Sequence, residues 1–223
     1  MTAEPGLGQS PKPGAGEPSA MTPARLHRLN RWLVEGLHED LVALYVESRA
    51  SATDDPYRRP GRQNFLNRLT VDMRRPGFAM VTAETDSLMG CAFGFPVGGD
   101  GSWWLGFDGA LPRSIEQLTV SGNVLAFADI LIRPHSQDRE LARRVQERLL
   151  TDHQASLGAT LVDRADRRAL VALRSWGWLD IGELRRPAGA TTFRARVLPL
   201  GEHTAARLKG LVTMPGGGGP SGA

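Results

Sequence analysis

The sequence has only one cysteine and no long apolar run. The first excludes an internal disulfide, and the second excludes a membrane-spanning helix. Cys91 alone cannot form an internal disulfide, so a reducing cytoplasm is the expected location. The longest apolar stretch, residues 124–132, is interrupted by Asp129 and is much shorter than a membrane span. The N-terminus has no apolar segment of the secretory type. We therefore expect neither disulfide nor membrane contact.

The charge is also close to balanced, with 27 basic and 24 acidic residues. The arginines are dispersed among acids, which does not favour nucleic-acid binding. The five histidines lack metal-ligand spacing, so no metal site is expected. Cys91 follows Gly90 in an apolar run, which is typical of a small core residue and not of a nucleophile.

Composition predicts one domain with two tails. Residues 1–22 are rich in Gly, Pro, Ala and Ser and cannot bury a core, so we expect a disordered tail. A flexible tail is expected over 206–223, where residues 213–223 have a similar composition. The folded domain should span 23–205.

Within that domain, helical and strand patterns alternate, which predicts an α/β (α+β) domain around a mixed, largely antiparallel sheet. The expected helices cover 37–49, 65–73, 114–118, a segment after Pro134 and 167–176, and the expected strands cover 78–84, 88–97, 123–132, 159–163, 178–184 and 191–200.

Residues 127–150 carry the first motif of a family. A strand ends in Ile132-Arg133-Pro134, and a helix follows. This stretch resembles the cofactor motif of the Gcn5-related N-acetyltransferase (GNAT) family, Arg/Gln-x-x-Gly-x-Gly/Ala. Gln137, Glu140 and Ala142 take its three defined positions.

A second motif follows at residues 166–184 and looks like the family's Asn-x-x-Ala helix ending in Gly-Phe. Asp166 takes the Asn position, Ala169 matches, and Gly177-Trp178 replaces Gly-Phe. With the paired strands over 78–97, the resemblance covers about 27–200. It implies a GNAT-like sheet with helices on both faces and an acetyl-CoA-dependent N-acetyltransferase.

The resemblance also implies a cofactor site. A helix N-terminus attracts anions through its unpaired N–H groups and partial positive charge. In the family this turn holds the diphosphate of coenzyme A, and the preceding strand binds the pantetheine arm. Carried over, the arm would contact Ile130, Leu131 and Ile132, and the diphosphate would contact Gln137, Asp138, Arg139, Glu140, Leu141, Ala142 and Arg143.

Two acids depart from this motif. Glu140 occupies a glycine position and Asp138 lies nearby, so either carboxylate could repel a diphosphate. Arg139, Arg143 and Arg144 could offset the repulsion if they point to the ligand. Acids in a first helical turn also stabilise the helix by themselves. Two interpretations stay open: weakened coenzyme A binding, or a helix end that is satisfied internally and holds no ligand.

Asp129 is the first candidate for a catalytic base. It interrupts an apolar strand where many relatives carry an acid, and apolar neighbours would partly desolvate it. An ion pair or a hydrogen bond to a loop is an equal alternative. Glu84 and His135 are weaker candidates. Leu173 replaces the tyrosine that supplies the acid in many relatives, so protonation of the leaving thiolate lacks its usual donor.

Two functions remain open. One is transfer of an acetyl group to an amine of a small molecule or peptide, and the other is a catalytically inactive binding or regulatory module on the same fold. The resemblance also allows a homodimer, since dimers are common among relatives. Trp103-Trp104 could form a wall for an apolar acceptor, although core packing is the more ordinary role.

Overall fold

The computed structural model describes residues 23–50, 61–134, 138–186, 191–202, 204–206 and 208, so most of the two predicted tails lies outside the described residues. The strands are β1 (Arg25–Leu29), β2 (Ala79–Glu84), β3 (Leu88–Pro96), β4 (Val124–Ile132), β5 (Leu157–Asp163), β6 (Leu179–Arg185) and β7 (Thr192–Pro199). The helices are α1 (Arg31–Glu35), α2 (His38–Ala50), α3 (Arg62–Met73), α4 (Arg113–Val120), α5 (Asp138–Asp152) and α6 (Arg167–Ser175).

The seven strands form one sheet in the order β1-β2-β3-β4-β5-β7-β6. Every neighbouring pair is antiparallel except β4 and β5, which are parallel. A parallel pair requires a crossover, and α5 supplies it between these two strands. The predicted mixed, largely antiparallel sheet is confirmed.

Successive side chains of a strand point to opposite faces of the sheet. The central strands are apolar on both faces, and helices cover each face. On one face Val81 packs in a core with Val145 of α5. On the other face Met80 and Cys91 pack with α1, α2 and α3. Burial raises the pKa of the Cys91 thiol, which keeps it protonated and unreactive. The expected core role of Cys91 is confirmed.

A third core forms where β6 and β7 join the sheet. Trp104 is buried in it and donates its Nε1–H to the hydroxyl of Thr119 at 3.0 Å. Trp103 stands edge-on to Trp104. The two rings therefore pack in the core, which was the alternative to a wall for an apolar acceptor. Leu208 is buried in the same core, three residues beyond the domain end predicted at 205.

Candidate active site

β4 and β5 separate partway along their length. They pair only between Val124–Ala126 and Leu157–Ala159. On its other edge β4 pairs with β3 throughout, but the register shifts so that Phe93 faces Asp129 while Gly94 faces Phe127. Ala128 is therefore an extra residue, a β-bulge, which bends the strand and re-aims the side chains next to it. Beyond the bulge a gap opens between β4 and β5.

The edge of β4 that faces this gap carries backbone polar groups. Arg133 donates its N–H to the carbonyl of Met89 on β3 at 2.9 Å. Because backbone groups alternate sides along a strand, those of Ile130 and Ile132 point toward β5. The N–H of Ile130 also lies 3.0 Å from the Asp129 carboxylate. This edge is suited to an extended, amide-containing ligand.

A cavity of about 810 Å³ occupies the gap and reaches helices on both of its sides. Its apolar wall comes from β4, β5, β7 and α6, and its polar wall comes from α2 and α3. The charged residues Asp163, Asp166 and Arg168 line the cavity at the end of β5 and the start of α6. The apolar wall contains Ile130, Ile132, Leu161, Val162, Ala172, Leu173, Trp176 and Phe193. The polar wall contains Tyr45, Ser48, Arg49, Asn64, Asn67 and Arg68. The volume is within the range of small-molecule sites.

Asp129 lies in this cavity with its side chain 11% exposed. One carboxylate oxygen is 3.6 Å from Nη2 of Arg49, and the other is 3.6 Å from Nη2 of Arg68. The ion pair considered as an alternative to the base role is thus present, although its partners come from α2 and α3 and not from a loop. Both pairs are longer than a hydrogen bond, so a ligand group can replace either arginine.

Arg49 connects the two halves of the cavity. Its Nη1 lies 2.8 Å from Oδ2 of Asp166, while its Nη2 faces Asp129. Burial alone would lower the pKa of Arg49, but the two carboxylates outweigh it and raise the pKa above its usual value. Arg49 therefore remains a cation and holds α2 against the start of α6.

Asp166 caps α6. Its Oδ1 accepts the N–H of Ala169 at 3.0 Å, which satisfies one of the unpaired donors of the first helical turn. The same position is the Asn position of the resemblance. Here its two oxygens are used by the helix and by Arg49.

Tyr45 is a cavity residue that the sequence did not single out. Its ring is 2% exposed and stacks on Phe65 with centroids 4.4 Å apart. Burial raises the pKa of Tyr45, so its phenol holds its proton at neutral pH and is a weaker acid than an exposed tyrosine. Tyr45 and Arg49 are four residues apart on α2, a spacing that puts both on one helix face.

The predicted cofactor residues separate into several environments. Ile130 and Ile132 line the cavity, whereas the side chain of Leu131 is fully buried on the opposite face of the sheet. Ala142 is fully buried in the core beneath α5, and Leu141 packs against that core. Gln137 lies outside the described residues, as does the weaker base candidate His135. Asp138 begins α5, and Arg139 is exposed.

Glu140 and Arg143 pair with each other on the exposed side of α5. Arg143 donates to both carboxylate oxygens of Glu140, at 2.7 and 3.0 Å, and to Glu147 at 2.7 Å. These hydrogen bonds lower the pKa of Glu140. Arg144 donates to the backbone carbonyl of Ala24 at 2.8 Å. Arg143 and Arg144 thus point to protein partners. They do not point to a ligand, as an offset of the repulsion between Glu140 and a diphosphate would require.

We expect Glu140→Gln to tighten coenzyme A binding about fivefold, because a unit charge about 4 Å from a phosphate is worth about 1 kcal/mol in water. Gln preserves helix propensity better than Gly. Calorimetric titration measures the change. Glu147→Gln is the matched control, since it also pairs with Arg143 but lies two turns further from the helix start. Equal affinity in all three proteins would show that this helix end holds no diphosphate.

The remaining candidates lie elsewhere or lack the needed chemistry. Glu84 accepts a hydrogen bond from the Thr82 hydroxyl at 2.9 Å and is not part of the cavity wall. Leu173 is 5% exposed and contributes only hydrocarbon to that wall. Among the described residues no group of His, Cys, Asp and Glu side chains could hold a metal ion. No described helix is long and apolar enough to cross a membrane.

No family model and no curated protein matches the chain. Similar solved structures include a mutant of the spermidine N-acetyltransferase SpeG from Vibrio cholerae, with 12% identity over 78% of this chain and 94% of that chain and a TM-score of 0.46. A protein assigned to the GNAT acetyltransferases, from Desulfovibrio desulfuricans, has 13% identity over 79% and 98% of the two chains and a TM-score of 0.48.

A third similar structure is YncA from Salmonella typhimurium, assigned as an acetyltransferase and solved with acetyl-CoA. It has 13% identity over 82% of this chain and 96% of that chain, with a TM-score of 0.44. The family that the sequence motifs indicate therefore recurs among similar structures.

Proposed function

We propose that this protein is an N-acetyltransferase that uses acetyl-CoA to acylate an amine of a small molecule or peptide. The observation that carries the proposal is the gap beyond the Ala128 bulge, where the edge of β4 is free of β5 and borders a cavity of about 810 Å³. A pantetheine arm contains amide groups that can pair with such an edge, as a peptide strand does. The motif resemblance supports the same ligand.

The residues present fit that ligand in part. The apolar wall from Ile132, Leu173 and Trp176 suits a narrow, mostly hydrocarbon arm. The start of α5 at Asp138 offers helix N–H groups for a diphosphate, while the Glu140 carboxylate opposes one. We therefore expect binding that is real and weaker than a glycine-containing turn would allow.

Acetyl-CoA supplies an acyl group that is activated as a thioester. The bond that forms joins the amine nitrogen to the acyl carbon, and the bond that breaks is the carbon–sulfur bond. Asp129 is the proposed base that accepts the proton lost by the amine. Tyr45, protonated and in the same cavity, is the proposed donor of the proton that the leaving thiolate takes up. Tyr45 would thus replace the acid missing at Leu173.

A catalytically inactive binding module is the second candidate, and the Arg49–Asp166 pair favours it. That pair bridges α2 and α6 beside the cavity and satisfies both side chains without a ligand. A structural bridge of this kind would be preserved in a protein that has lost catalysis. Such a protein would bind acetyl-CoA or a related ligand without turning it over.

Two measurements separate these functions. Acetyl-CoA should raise the melting temperature of the protein, because a ligand that binds only the native state stabilises it. Thiol release in the presence of an amine panel then reports transfer. A thermal shift with thiol release supports the enzyme, and a thermal shift without it supports the binding module. The absence of any shift up to millimolar acetyl-CoA would reject the enzyme and any module that binds acetyl-CoA itself.

A further inference from the structure

Three carboxylates line the cavity; those of Asp129 and Asp166 have partners on both oxygens, and Asp163 accepts the N–H of Ala165 at 2.8 Å through one oxygen. Oδ1 of Asp129 accepts the N–H of Ile130, and Oδ2 faces Arg68. Oδ1 of Asp166 caps α6, and Oδ2 accepts from Arg49. A polycationic acceptor would need several unengaged carboxylates, so these two residues provide little for it.

The donors of the polar wall are in surplus. Arg68 carries five N–H groups, yet its side chain is 59% exposed and its ion pair with Asp129 spans 3.6 Å. Asn64 and Asn67 lie on the same side of α3 and also line the cavity. The side-chain carbonyl of Asn67 accepts a hydrogen bond from Gln63 at 3.0 Å, and its amide N–H groups remain as donors.

We propose that the amine acceptor carries a carboxylate, or an anion of similar size, and that Arg68 binds it. This inference rests on the proposed function and names the substrate class. A guanidinium forms paired hydrogen bonds with a carboxylate, and the neighbouring amides of Asn64 and Asn67 can add to them. The acceptor is then a free amino acid, and not a polyamine.

The geometry also limits the distance between the amine and the carboxylate of the acceptor. Arg68 Nη2 lies 3.6 Å from Asp129 Oδ2. An amine within about 3 Å of Asp129 and a carboxylate within about 3 Å of Arg68 are therefore only a few bonds apart, as in an α- or β-amino acid. By drawing Arg68 away, the acceptor's carboxylate would free Oδ2 of Asp129 for the amine proton.

The test uses three matched series: alanine, leucine and phenylalanine, each with its amide and its decarboxylated amine. An aminophosphonate analogue distinguishes a carboxylate site from a phosphate site. We expect kcat/KM at least about tenfold higher for a free carboxylate than for the amide or amine. Arg68→Gln should abolish this preference through KM, and Arg68→Lys should retain part of it. Arg74→Gln, exposed on the same segment and outside the cavity wall, is the control.

Calorimetry of the same acceptors without acetyl-CoA gives a readout that does not depend on turnover. Tighter binding of the carboxylates, lost in Arg68→Gln but not in Arg74→Gln, supports the inference even if no transfer occurs. Equal kcat/KM for the acid, the amide and the amine in all three series overturns the inference and leaves the proposed function intact. Preference that survives Arg68→Gln also overturns it, as does the absence of both transfer and acceptor binding.

Discussion

Asp129→Asn should reduce the rate of acetyl transfer by a factor of about 10² to 10⁴, the usual contribution of a positioned base. Asn has the same shape and cannot accept the amine's proton. Coenzyme A binding should stay within about twofold of the wild type, because the backbone edge of β4 is unchanged. Steady-state kinetics and calorimetry on the same samples measure the two effects.

The control for this substitution is Asp152→Asn. Asp152 is a carboxylate at the end of α5 whose side chain is 14% exposed and which pairs with Arg148 outside the cavity wall, so its loss should leave the rate unchanged. Asp129→Asn also leaves Arg49 and Arg68 without their shared counter-ion, and urea unfolding should accompany the kinetics. A rate equal to the wild type would remove Asp129 from the chemistry and leave it as a structural ion pair.

Gly94→Ala should lower the free energy of unfolding by about 3 kcal/mol, at the upper end for overpacking in a core. Gly94 lies on β3 directly beside the β4 bulge, and a methyl group there would overlap the backbone carbonyl oxygen of Ala126. Backbone in the middle of a sheet cannot move aside as a flexible side chain can. The strands must separate at the point that aims Asp129 into the cavity.

Urea unfolding measures this loss, and Gly36→Ala is the control. Gly36 has right-handed helical backbone, and a methyl group on it would meet only the carbonyl oxygen of Leu33 at 3.6 Å, so its stability should stay within about 0.5 kcal/mol of the wild type. A Gly94→Ala variant as stable as Gly36→Ala would contradict the close approach of β3 and β4 beside the bulge.

Much of the fold could be predicted because its local signals agree. The apolar strand that ends at Ile132, followed by Pro134 and a helix with one apolar face, gave β4 and α5 in the right order. β1 was not predicted. It is an edge strand with Arg25, His27 and Arg28 exposed, so its pattern resembles a solvated loop.

The site was only partly predictable, since its contacts join distant parts of the chain. The apolar surroundings of Asp129 were visible in sequence, but its partners Arg49 and Arg68 lie on α2 and α3 about 80 and 61 residues earlier. Dispersed arginines give no signal of which one faces a carboxylate. Tyr45 was missed for the same reason, and the Ala128 bulge depends on a register shift that no local pattern encodes.

Binding of acetyl-CoA in the gap between β4 and β5 can be measured by calorimetry on two neighbouring substitutions of α6. Ala172 lines the gap, and Val171 beside it on α6 is 69% exposed and outside the cavity wall. We predict that Ala172→Phe weakens acetyl-CoA binding at least about tenfold, about 1.4 kcal/mol, while Val171→Phe leaves it unchanged. Equal affinity of both variants and the wild type, or no binding by any of them, would show that acetyl-CoA does not occupy this gap.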